Sequence, residues 1–448
     1  MPLADRIVTP LGGYIYILTS ELLRNEIARV GVLAREINAG IYLHPWDILD
    51  EGSEQVFSRI KQAGMTHVNL ATSYHSGRYI LPHNPRRRIY FAEEGVVYFR
   101  PDPSYFENTP IKPKMSSQFP DTDIVALATE EGKKHEIGVN SWTVTLHNSR
   151  LARAHPDAAV VNPYGDIDYN FLCPNNPDSR RFLIGLVRNL AEKYELDAIQ
   201  LESAGYIWGL EHGDHHEMLG TQVEPFTSDL MGVCFCKNCV SKMEQEKLHP
   251  DSLRKLVRSV ADLSFDTPTN VVHKIPVEET IRNSYVLSTD IEDLHDLLRF
   301  KRATVNSLFE EARDVLKSSN PDTELRVIGA GGFTGGGSGA MGRGSEGINL
   351  HDLAKIVDGI DLIDYVSDPE MVYYHVQWVR FEVGSCPVYV ALRPSFPTLY
   401  TKESIEGEIV AAMQAGASGV EFYNYGWTSL RNLDWVRQSL EAASSRVS

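Results

Sequence analysis

Basic residues are scarce in this 448-residue sequence relative to acidic ones. Lysine and arginine number 43 against 60 aspartates and glutamates, which gives a formal net charge of -17. Binding to phosphate backbones or anionic membranes needs clustered cations, and the one basic cluster, Arg86-Arg87-Arg88, is short. We therefore expect neither nucleic acid nor a membrane as a partner.

Long apolar runs are also absent. No segment approaches the roughly 20 apolar residues that a membrane helix needs. The apolar stretch at 14–18 soon meets Glu21 and Arg24, and it lacks the basic start and the cleavage site of a signal peptide. We expect a cytoplasmic protein. Its content of 42% hydrophobic and 23% charged residues is ordinary for a globular chain with a large core.

Cysteines are few, and most of them are clustered. The odd total of five argues against a secreted disulfide framework. Residues 234–239 read C-x-C-x2-C, and three thiolates so close together can bind zinc with a fourth ligand. Cys173 is the candidate for that place, because its loop neighbours theirs in the predicted fold. We predict a structural zinc site formed by Cys173, Cys234, Cys236 and Cys239, with reduced buried thiols as the alternative, and no organic cofactor.

Strand-like and helix-like segments alternate along the chain. Strands are predicted at 39–47, 67–75, 137–145, 197–203, 324–332, 361–367, 387–393 and 419–424, and helices lie between and after them. Eight buried strands, each followed by a helix, favour a closed (β/α)8 TIM barrel. An open doubly wound sheet is the alternative, but it usually has a glycine-rich turn after its first strand. This chain has His44-Pro45-Trp46-Asp47 there.

Three connections are too long to be simple loops. They are 76–120, 204–290 and 329–344, and they follow strands two, four and five on the C-terminal face, where such barrels carry their active sites. We predict residues 1–38 as an N-terminal helical extension and residues 39–448 as the catalytic barrel. Residues 204–290 form an inserted loop subdomain with the Cys and His clusters. The glycine-rich loop 329–344 matches no phosphate motif and is either a lid or disordered.

Acidic residues occur where apolar strands end. Glu202 ends strand four, Glu421 lies near the end of strand eight, and Asp364 and Asp368 bracket the end of strand six. A buried carboxylate is costly unless it is paired or used. Carboxyl groups at one barrel mouth suit glycoside hydrolysis, in which one protonates the leaving oxygen and another is the nucleophile or base. For each residue, an ion pair or a helix cap is the alternative.

The same strand ends carry side chains of the kinds that bind sugars. Aromatic rings pack on the apolar faces of sugars, and polar side chains bind hydroxyl groups. The segment HGDHHE at 212–217 adds histidines that suit substrate contact, acid–base chemistry or a metal ion. The candidate substrate-binding residues are His44, Trp46, Asp47, Tyr74, His75, Asn140, Trp142, His215, His216, Arg393, Tyr423, Asn424 and Trp427.

Several segments resemble a family of bacterial proteins known only as hypothetical glycosyl hydrolases. They are LCPNNPDSRRFL, DAIQLESAGY, HGDHHE, CFCKNC, NLATSYHSGRYILPHNPRR and YFRPD, and the resemblance covers most of residues 40–430. It implies a TIM barrel. At the level of fold alone the chain is similar to alpha-amylase-like barrels, which implies a catalytic carboxylate at the position of Glu202. Strand seven ends here in Arg393, which departs from the common pairing of carboxylates on strands four and seven.

Together these features predict a carbohydrate-active enzyme, a glycoside hydrolase that pairs Glu202 with Glu421 or a strand-six aspartate. One alternative is a metal-dependent sugar isomerase, epimerase or lyase similar to the xylose-isomerase-like barrels, which place metal-binding glutamates on strands four and eight. Another is a sugar-binding barrel without catalysis. The expected partner is a carbohydrate, and a homo-oligomer remains open.

Overall fold

The computed structural model describes residues 37–206, 225–267, 271, 286–287, 290–329, 346–398 and 401–447. Its strands are β1 (Ala39–Leu43), β2 (His67–Tyr74), β3 (Gly77–Ile80), β4 (Ile89–Ala92), β5 (Val96–Val97), β6 (Gly138–Val144), β7 (Ala159–Val161), β8 (Ile167–Leu172), β9 (Ala198–Glu202), β10 (Glu324–Ile328), β11 (Gly359–Ile363), β12 (Val388–Leu392) and β13 (Gly419–Phe422).

Eight of these strands form a closed parallel barrel. Their order is β1-β2-β6-β9-β10-β11-β12-β13, and β1 pairs with both β2 and β13, so the barrel has no open edge. The predicted (β/α)8 fold is confirmed. Because all eight strands run in one direction, their last residues meet at one end of the barrel, which we call the mouth.

Helices surround the barrel. They are α1 (Pro45–Glu51), α2 (Ser53–Gln62), α3 (Ile124–His135), α4 (Ser149–Ala154), α5 (Pro177–Lys193), α6 (Pro225–Met231), α7 (Lys237–Gln245), α8 (Pro250–Asp266), α9 (Glu292–Ser319), α10 (Leu350–Leu353), α11 (Pro369–Val383), α12 (Lys402–Gln414) and α13 (Leu430–Ser444). None of the helices in the described ranges is long and apolar enough to cross a membrane.

Local signals in the sequence explain where these helices begin. Asn176 caps α5 by accepting hydrogen bonds from the backbone N–H groups of residues 178 and 179, and Pro177 fits the first turn because it has no N–H to satisfy. The apolar residues of α5, among them Phe182, Leu186 and Leu190, recur every three to four positions and are buried. Helix and strand faces of this kind form the apolar layer between the barrel and its helices.

The first strand is shorter than predicted. β1 ends at Leu43, whereas the prediction extended it to residue 47. His44 is the N-cap of α1 and Pro45 is its first residue, because proline presets a helical φ and needs no hydrogen-bond acceptor there. Trp46 and Asp47 therefore lie in a helix rather than at a strand end. The fifth and eighth barrel strands are also shorter, ending at Ile328 and Phe422.

Two short hairpins lie in the connections at the mouth. β3 pairs with β4 in the connection after β2, and β7 pairs with β8 in the connection after β6. β5 adds an antiparallel pair to the end of β2. The predicted N-terminal extension lies outside the described residues up to residue 36, as does the glycine-rich loop after Gly329.

The barrel interior is polar below the mouth. Asn140 Nδ2 donates to Asn69 Oδ1 at 2.9 Å, and Gln200 Nε2 donates to Asp361 Oδ2 at 3.1 Å. Arg326 contributes the positive charge of this layer, with its Nη1 3.7 Å from Asp361 Oδ1. Buried polar groups need hydrogen-bond partners, and these side chains supply several of them to one another.

Candidate active site

Glu202 is the last residue of β9, and it is partly exposed at the mouth. Trp142 on β6 donates a hydrogen bond from its indole Nε1 to Glu202 Oε2. The backbone is held as well, since Thr145 donates to Glu202 O through both its N–H, at 3.0 Å, and its hydroxyl, at 2.9 Å. Ser203 then has a φ of 54°, in the left-handed region that non-glycine residues rarely adopt. Hydrogen bonds thus hold both the side chain and the backbone of Glu202.

Aromatic rings enclose this carboxyl group. Trp142 lies 4.8 Å from Tyr74 and 5.7 Å from Tyr423, measured between ring centroids in edge-to-face geometry. The hydroxyl groups of Tyr74 and Tyr423 are 3.3 Å apart. Trp427 lies 5.0 Å from Tyr423, again edge to face. These rings form a box that excludes much of the water around Glu202.

Burial raises the pKa of Glu202 above its ordinary value. The hydrogen bond from Trp142 and the nearby His75 act in the opposite direction, because both favour the charged carboxylate, but burial dominates. The ring of His75 stacks on Tyr74 at 4.3 Å and on His147 at 4.7 Å. A carboxyl group that keeps its proton to a higher pH is suited to act as an acid.

Arg393 completes the mouth at the end of β12. Its guanidinium carbon lies 4.1 Å from the ring centre of Tyr365 and 5.9 Å from that of Tyr423. Burial raises the pKa of both tyrosines, the charge of Glu202 raises it further, and Arg393 lowers it. Glu202 and Arg393 therefore act on the same two rings.

Glu421 lies deeper in the barrel. It has no exposed surface, and its Oε1 is 3.3 Å from His67 Nε2 and 3.6 Å from Arg326 Nη1. A Cβ at Gly40 would lie 2.2 Å from His67 Nε2, so only glycine leaves room for this histidine. Burial alone would raise the pKa of Glu421, but the hydrogen bond and charge of His67 and the charge of Arg326 outweigh it and hold the pKa below its ordinary value.

The ring of Tyr42 lies between Glu421 and the mouth. It packs edge to face on Trp142 at 5.1 Å and on Tyr423 at 5.4 Å. Its own pKa is raised well above the ordinary value, first by burial and then by the charge of Glu421. Glu202 and Glu421 thus occupy successive layers of the barrel, with Tyr42 between them.

Asp364 and Asp368, which follow the sixth barrel strand, lie outside the group of aromatic rings around Glu202. Asp364 is fully buried, and its Oδ1 is 2.9 Å from His375 Nδ1 on α11. It also lies near Glu408 of α12, whose pKa burial raises to about 9, with the charges of Asp364 and Asp368 adding to the shift. Asp368 is exposed and caps α11 by accepting from the N–H of residue 370. Both contacts match the alternative of an ion pair or a cap.

Several predicted sugar ligands are buried beneath the mouth. Trp46 stacks on His44 at 4.3 Å, and both are fully buried. Asp47 accepts from the backbone N–H of His44 at 3.1 Å, and Asn424 bonds to His44 Nδ1 at 2.9 Å. Asn140 lies in the polar interior. These residues support the mouth, while His215 and His216 lie outside the described residues.

The structure adds two tyrosines that the sequence interpretation missed. Tyr365 follows β11 and stacks on Tyr423 at 5.4 Å. Tyr79 on β3 stacks on Trp427 at 5.0 Å and brings the β3–β4 hairpin over one side of the mouth. The alternation of strand residues was a signal for Tyr365: Asp361 faces inward, so residues 363 and 365 share its side. Tyr79 lies in a long connection and had no comparable signal.

A second cluster lies beside the mouth. Cys173, Cys234, Cys236 and Cys239 are buried with reduced thiols, and their sulfur atoms all lie within 4.8 Å of one another. Cys173 Sγ is 3.4, 3.6 and 3.8 Å from the sulfurs of Cys239, Cys236 and Cys234. The side chain of Asn175 donates to Cys239 Sγ and to the hydroxyl of Tyr206, four residues after Glu202. This cluster could hold a metal ion.

Sequence comparison identifies no matching family model and no matching curated protein. Solved structures show the same fold. The glycoside hydrolase domain of PgaB (BpsB) from Bordetella bronchiseptica superposes with a TM-score of 0.56 at 12% identity, covering 92% of this chain and 99% of that one. Alpha-L-fucosidase isoenzyme 2 from Paenibacillus thiaminolyticus gives 0.53 at 11% identity, covering 91% and 49%.

A beta-galactosidase from Bacillus circulans sp. alkalophilus gives a TM-score of 0.52 at 15% identity, covering 91% of this chain and 55% of that one. This chain spans about half the length of the fucosidase and of the galactosidase. These proteins are glycosidases with TIM barrels. At such low sequence identity the similarity shows a shared fold alone.

Proposed function

We propose that this protein is a glycoside hydrolase in which Glu202 is the general acid. The observation that carries the proposal is the Glu202 carboxyl group itself, with its raised pKa, its bond from Trp142 and its place in an aromatic box at the mouth. A protonated carboxyl in such a place can donate its proton to the oxygen of a glycosidic bond as that bond breaks.

The surrounding groups suit a sugar ring. Trp427 Nε1 and Arg393 Nε are buried and have no hydrogen-bond partner among the described residues, so a ligand oxygen that displaced the groups covering them would supply the missing acceptor. Tyr423 and Trp427 offer ring faces and edges against which a sugar can pack. The fold shared with several glycosidases is compatible with this proposal.

Glu421 takes a different part in this proposal. Its environment keeps it ionised, and its position below Tyr42 brings a negative charge under the site. Arg326 and His67 offset part of this charge, and the remainder would stabilise the positive charge that develops on the sugar when the glycosidic bond breaks. It acts at a distance, since the carboxylate has no exposed surface.

The test is turnover on a panel of disaccharides and alkyl glycosides, whose basic leaving groups need a proton, by wild type and Glu202→Gln. Glutamine keeps the shape and can still accept the bond from Trp142, but it has no proton of suitable acidity to give. We expect the wild type to hydrolyse at least one substrate and the variant to lose 10²- to 10⁴-fold in kcat. Glu311→Gln, on the exposed side of α9, is the matched control. A broad panel with no turnover, or an active Glu202→Gln, contradicts the proposal.

For the cysteine cluster we propose a structural zinc ion. Four sulfurs at about 2.3 Å from one tetrahedral ion are about 3.8 Å apart, close to the 3.4–3.8 Å that separate Cys173 from the other three sulfurs. The thiols act on one another: burial raises the pKa of Cys173 and Cys234, whereas hydrogen bonds from its neighbours lower the pKa of Cys236. The ion would join α7 to the connection before α5 and so support the loop that follows Glu202.

No described observation favours the isomerase alternative. Its histidines, His215 and His216, lie outside the described residues, and Asp364 is bonded to His375 behind the barrel wall. The hydrolase is therefore the proposed function.

A further inference from the structure

Arg393 has no carboxylate partner in the part of the chain that the structure describes. Its Nε is buried and makes no hydrogen bond. Arg59, Arg180 and Arg326 contact the carboxylates of Glu51, Glu311 and Glu324, and Arg150 and Arg254 donate to backbone carbonyl groups. An N–H group that has lost water without gaining an acceptor is costly. A ligand that brings an oxygen atom to this side of Arg393 would supply the missing acceptor.

The position of Arg393 points its charge into the mouth. Alternate residues of β12 share a face, and Tyr389 on that face stacks with Arg326 at 3.7 Å inside the barrel. Arg393, four residues later, therefore emerges above the interior. It lies against Tyr365 and Tyr423, the two rings that also sense the charge of Glu202. A ligand beside the Glu202 carboxyl group would lie within reach of Arg393.

The geometry of the guanidinium indicates an anionic partner of planar shape. The guanidinium carbon lies 4.1 Å from the ring centre of Tyr365, and Arg393 also hydrogen-bonds to the hydroxyl of Tyr365, so its remaining N–H groups are left to donate to a ligand. A planar fork of N–H donors matches the two oxygens of a carboxylate better than it matches a single hydroxyl group. Among sugars, the uronic acids carry a carboxylate on the ring.

The acidity of the protein as a whole does not oppose such a ligand. The net charge is -17, but charges farther away than about 8 Å are largely screened at physiological salt. Glu202, the carboxyl group at the mouth, keeps its proton to a raised pH because burial raises its pKa. In its protonated form it carries no charge and does not offset the positive charge of Arg393.

We propose that Arg393 binds the carboxylate of a uronic acid residue, which makes the substrate class a uronic-acid-containing glycoside. The proposal rests on the proposed function for its catalytic part. Its binding part stands on Arg393 alone and can be measured without turnover.

Calorimetric titration of wild type with free uronic acids and with their neutral counterparts tests the binding. The probes are D-glucuronate, D-galacturonate and D-mannuronate against D-glucose, D-galactose and D-mannose. We expect at least one uronate to bind 10- to 100-fold more tightly than its neutral counterpart, as for a charge-assisted forked contact. Arg393→Gln should abolish this preference, and Arg393→Lys should retain only part of it, because lysine keeps the charge and loses the fork.

Two controls accompany the variants. Arg431→Gln removes a positive charge from the exposed start of α13 and should leave the preference unchanged. Circular dichroism and melting temperature of Arg393→Gln should match wild type, because Arg393 has no ion pair to lose within the described chain. Equal binding of neutral and acidic sugars by wild type, or a preference that survives in Arg393→Gln, overturns the proposal.

Hydrolysis of matched alkyl uronides and alkyl glycosides separates this proposal from the proposed function. Uronide turnover that needs both Glu202 and Arg393 supports both. Uronate binding that needs Arg393, with no turnover of any substrate, supports the recognition and contradicts the hydrolase. Turnover of neutral glycosides through Glu202, with no preference for uronides, supports the hydrolase and overturns the recognition.

Discussion

Glu202 and Glu421 occupy successive layers of one barrel, and their surroundings move their pKa values in opposite directions. Burial raises the pKa of Glu202, whereas the pairing of Glu421 with His67 and Arg326 outweighs burial and lowers its pKa. Two carboxyl groups that hold different protonation states at one pH can divide the work of an acid and a stabilising charge.

The first prediction concerns the alkaline limb of the pH profile. Activity should fall as the pH rises through the raised pKa of Glu202, because only its protonated form donates. Trp142→Phe removes the hydrogen bond that favours the carboxylate, so the pKa should rise further and the limb should move to higher pH. The measurement is kcat/KM against pH for both proteins. A limb that stays in place or moves to lower pH in Trp142→Phe speaks against Glu202 as the acid.

A second prediction concerns the stability of the interior network. Glu421→Gln removes a counter-charge from Arg326 and His67, both buried, and should cost roughly 3 kcal/mol of unfolding free energy. The control is Glu324→Gln, which also removes a partner of Arg326 but lies at the partly exposed start of β10. That change should cost about 1 kcal/mol or less. Urea unfolding of both variants gives the comparison. Equal losses of unfolding free energy would contradict the placement of Glu421 in the buried interior.

The third prediction concerns zinc. Protein purified without chelator should contain about one equivalent, and Cys239→Ser should lose it together with at least about 2 kcal/mol of stability. Cys386→Ser is the matched control, because Cys386 lies before β12 and outside the cluster. Elemental analysis and urea unfolding provide the readouts. A folded, metal-free wild type with four freely titrating thiols would rule out the site.

The fourth prediction concerns Glu408, whose two carboxyl oxygens are buried and make no hydrogen bond with described residues. Burial raises its pKa to about 9, and the charges of Asp364 and Asp368 add to the shift. The unfolded chain releases this proton near the ordinary pKa of 4.5, so the folded state binds more protons between these two values. Stability should therefore fall as the pH rises through this window, by at most about 1.4 kcal/mol per pH unit.

Glu408→Gln copies the neutral acid and should remove this dependence. The variant should match wild type near pH 5 and exceed its stability near pH 8.5, as measured by urea unfolding at each pH. Glu403→Gln, at the exposed start of the same helix, should change neither value. A variant that is less stable than wild type at pH 8.5 would show that Glu408 is ionised in the folded protein.

The sequence predicted the barrel and the place of Glu202 because both depend on short patterns. A charged residue that ends an apolar strand is visible in five residues of sequence. The sequence did not reveal the surroundings of Glu421, since His67 lies 354 residues away and meets it only when the barrel closes. Asp364 lies at the end of strand six, as the sequence indicates, but the inward position of Asp361 turns residue 364 towards the helices and Tyr365 towards the mouth.

The same limits apply to the shape of the mouth. Tyr79 reaches Trp427 through a hairpin whose turn lies within a long connection, and no periodic pattern fixes how such a connection folds back. The cysteines were easier to place, because a tight spacing restricts three of them and the neighbouring loops of a barrel restrict the fourth.

The charged interior of the barrel has a consequence for how the chain selects its final strand pairing. A slip of one residue along β10 would turn Arg326 towards the helices and remove its positive charge from Asp361 and Glu421 inside the barrel. An aliphatic interior tolerates such a slip with a modest loss of packing, whereas stranded buried charges cost several kcal/mol each. The network therefore disfavours barrels with misaligned strands. It adds more to the free-energy difference between the native and the misaligned pairings than to the free energy of unfolding.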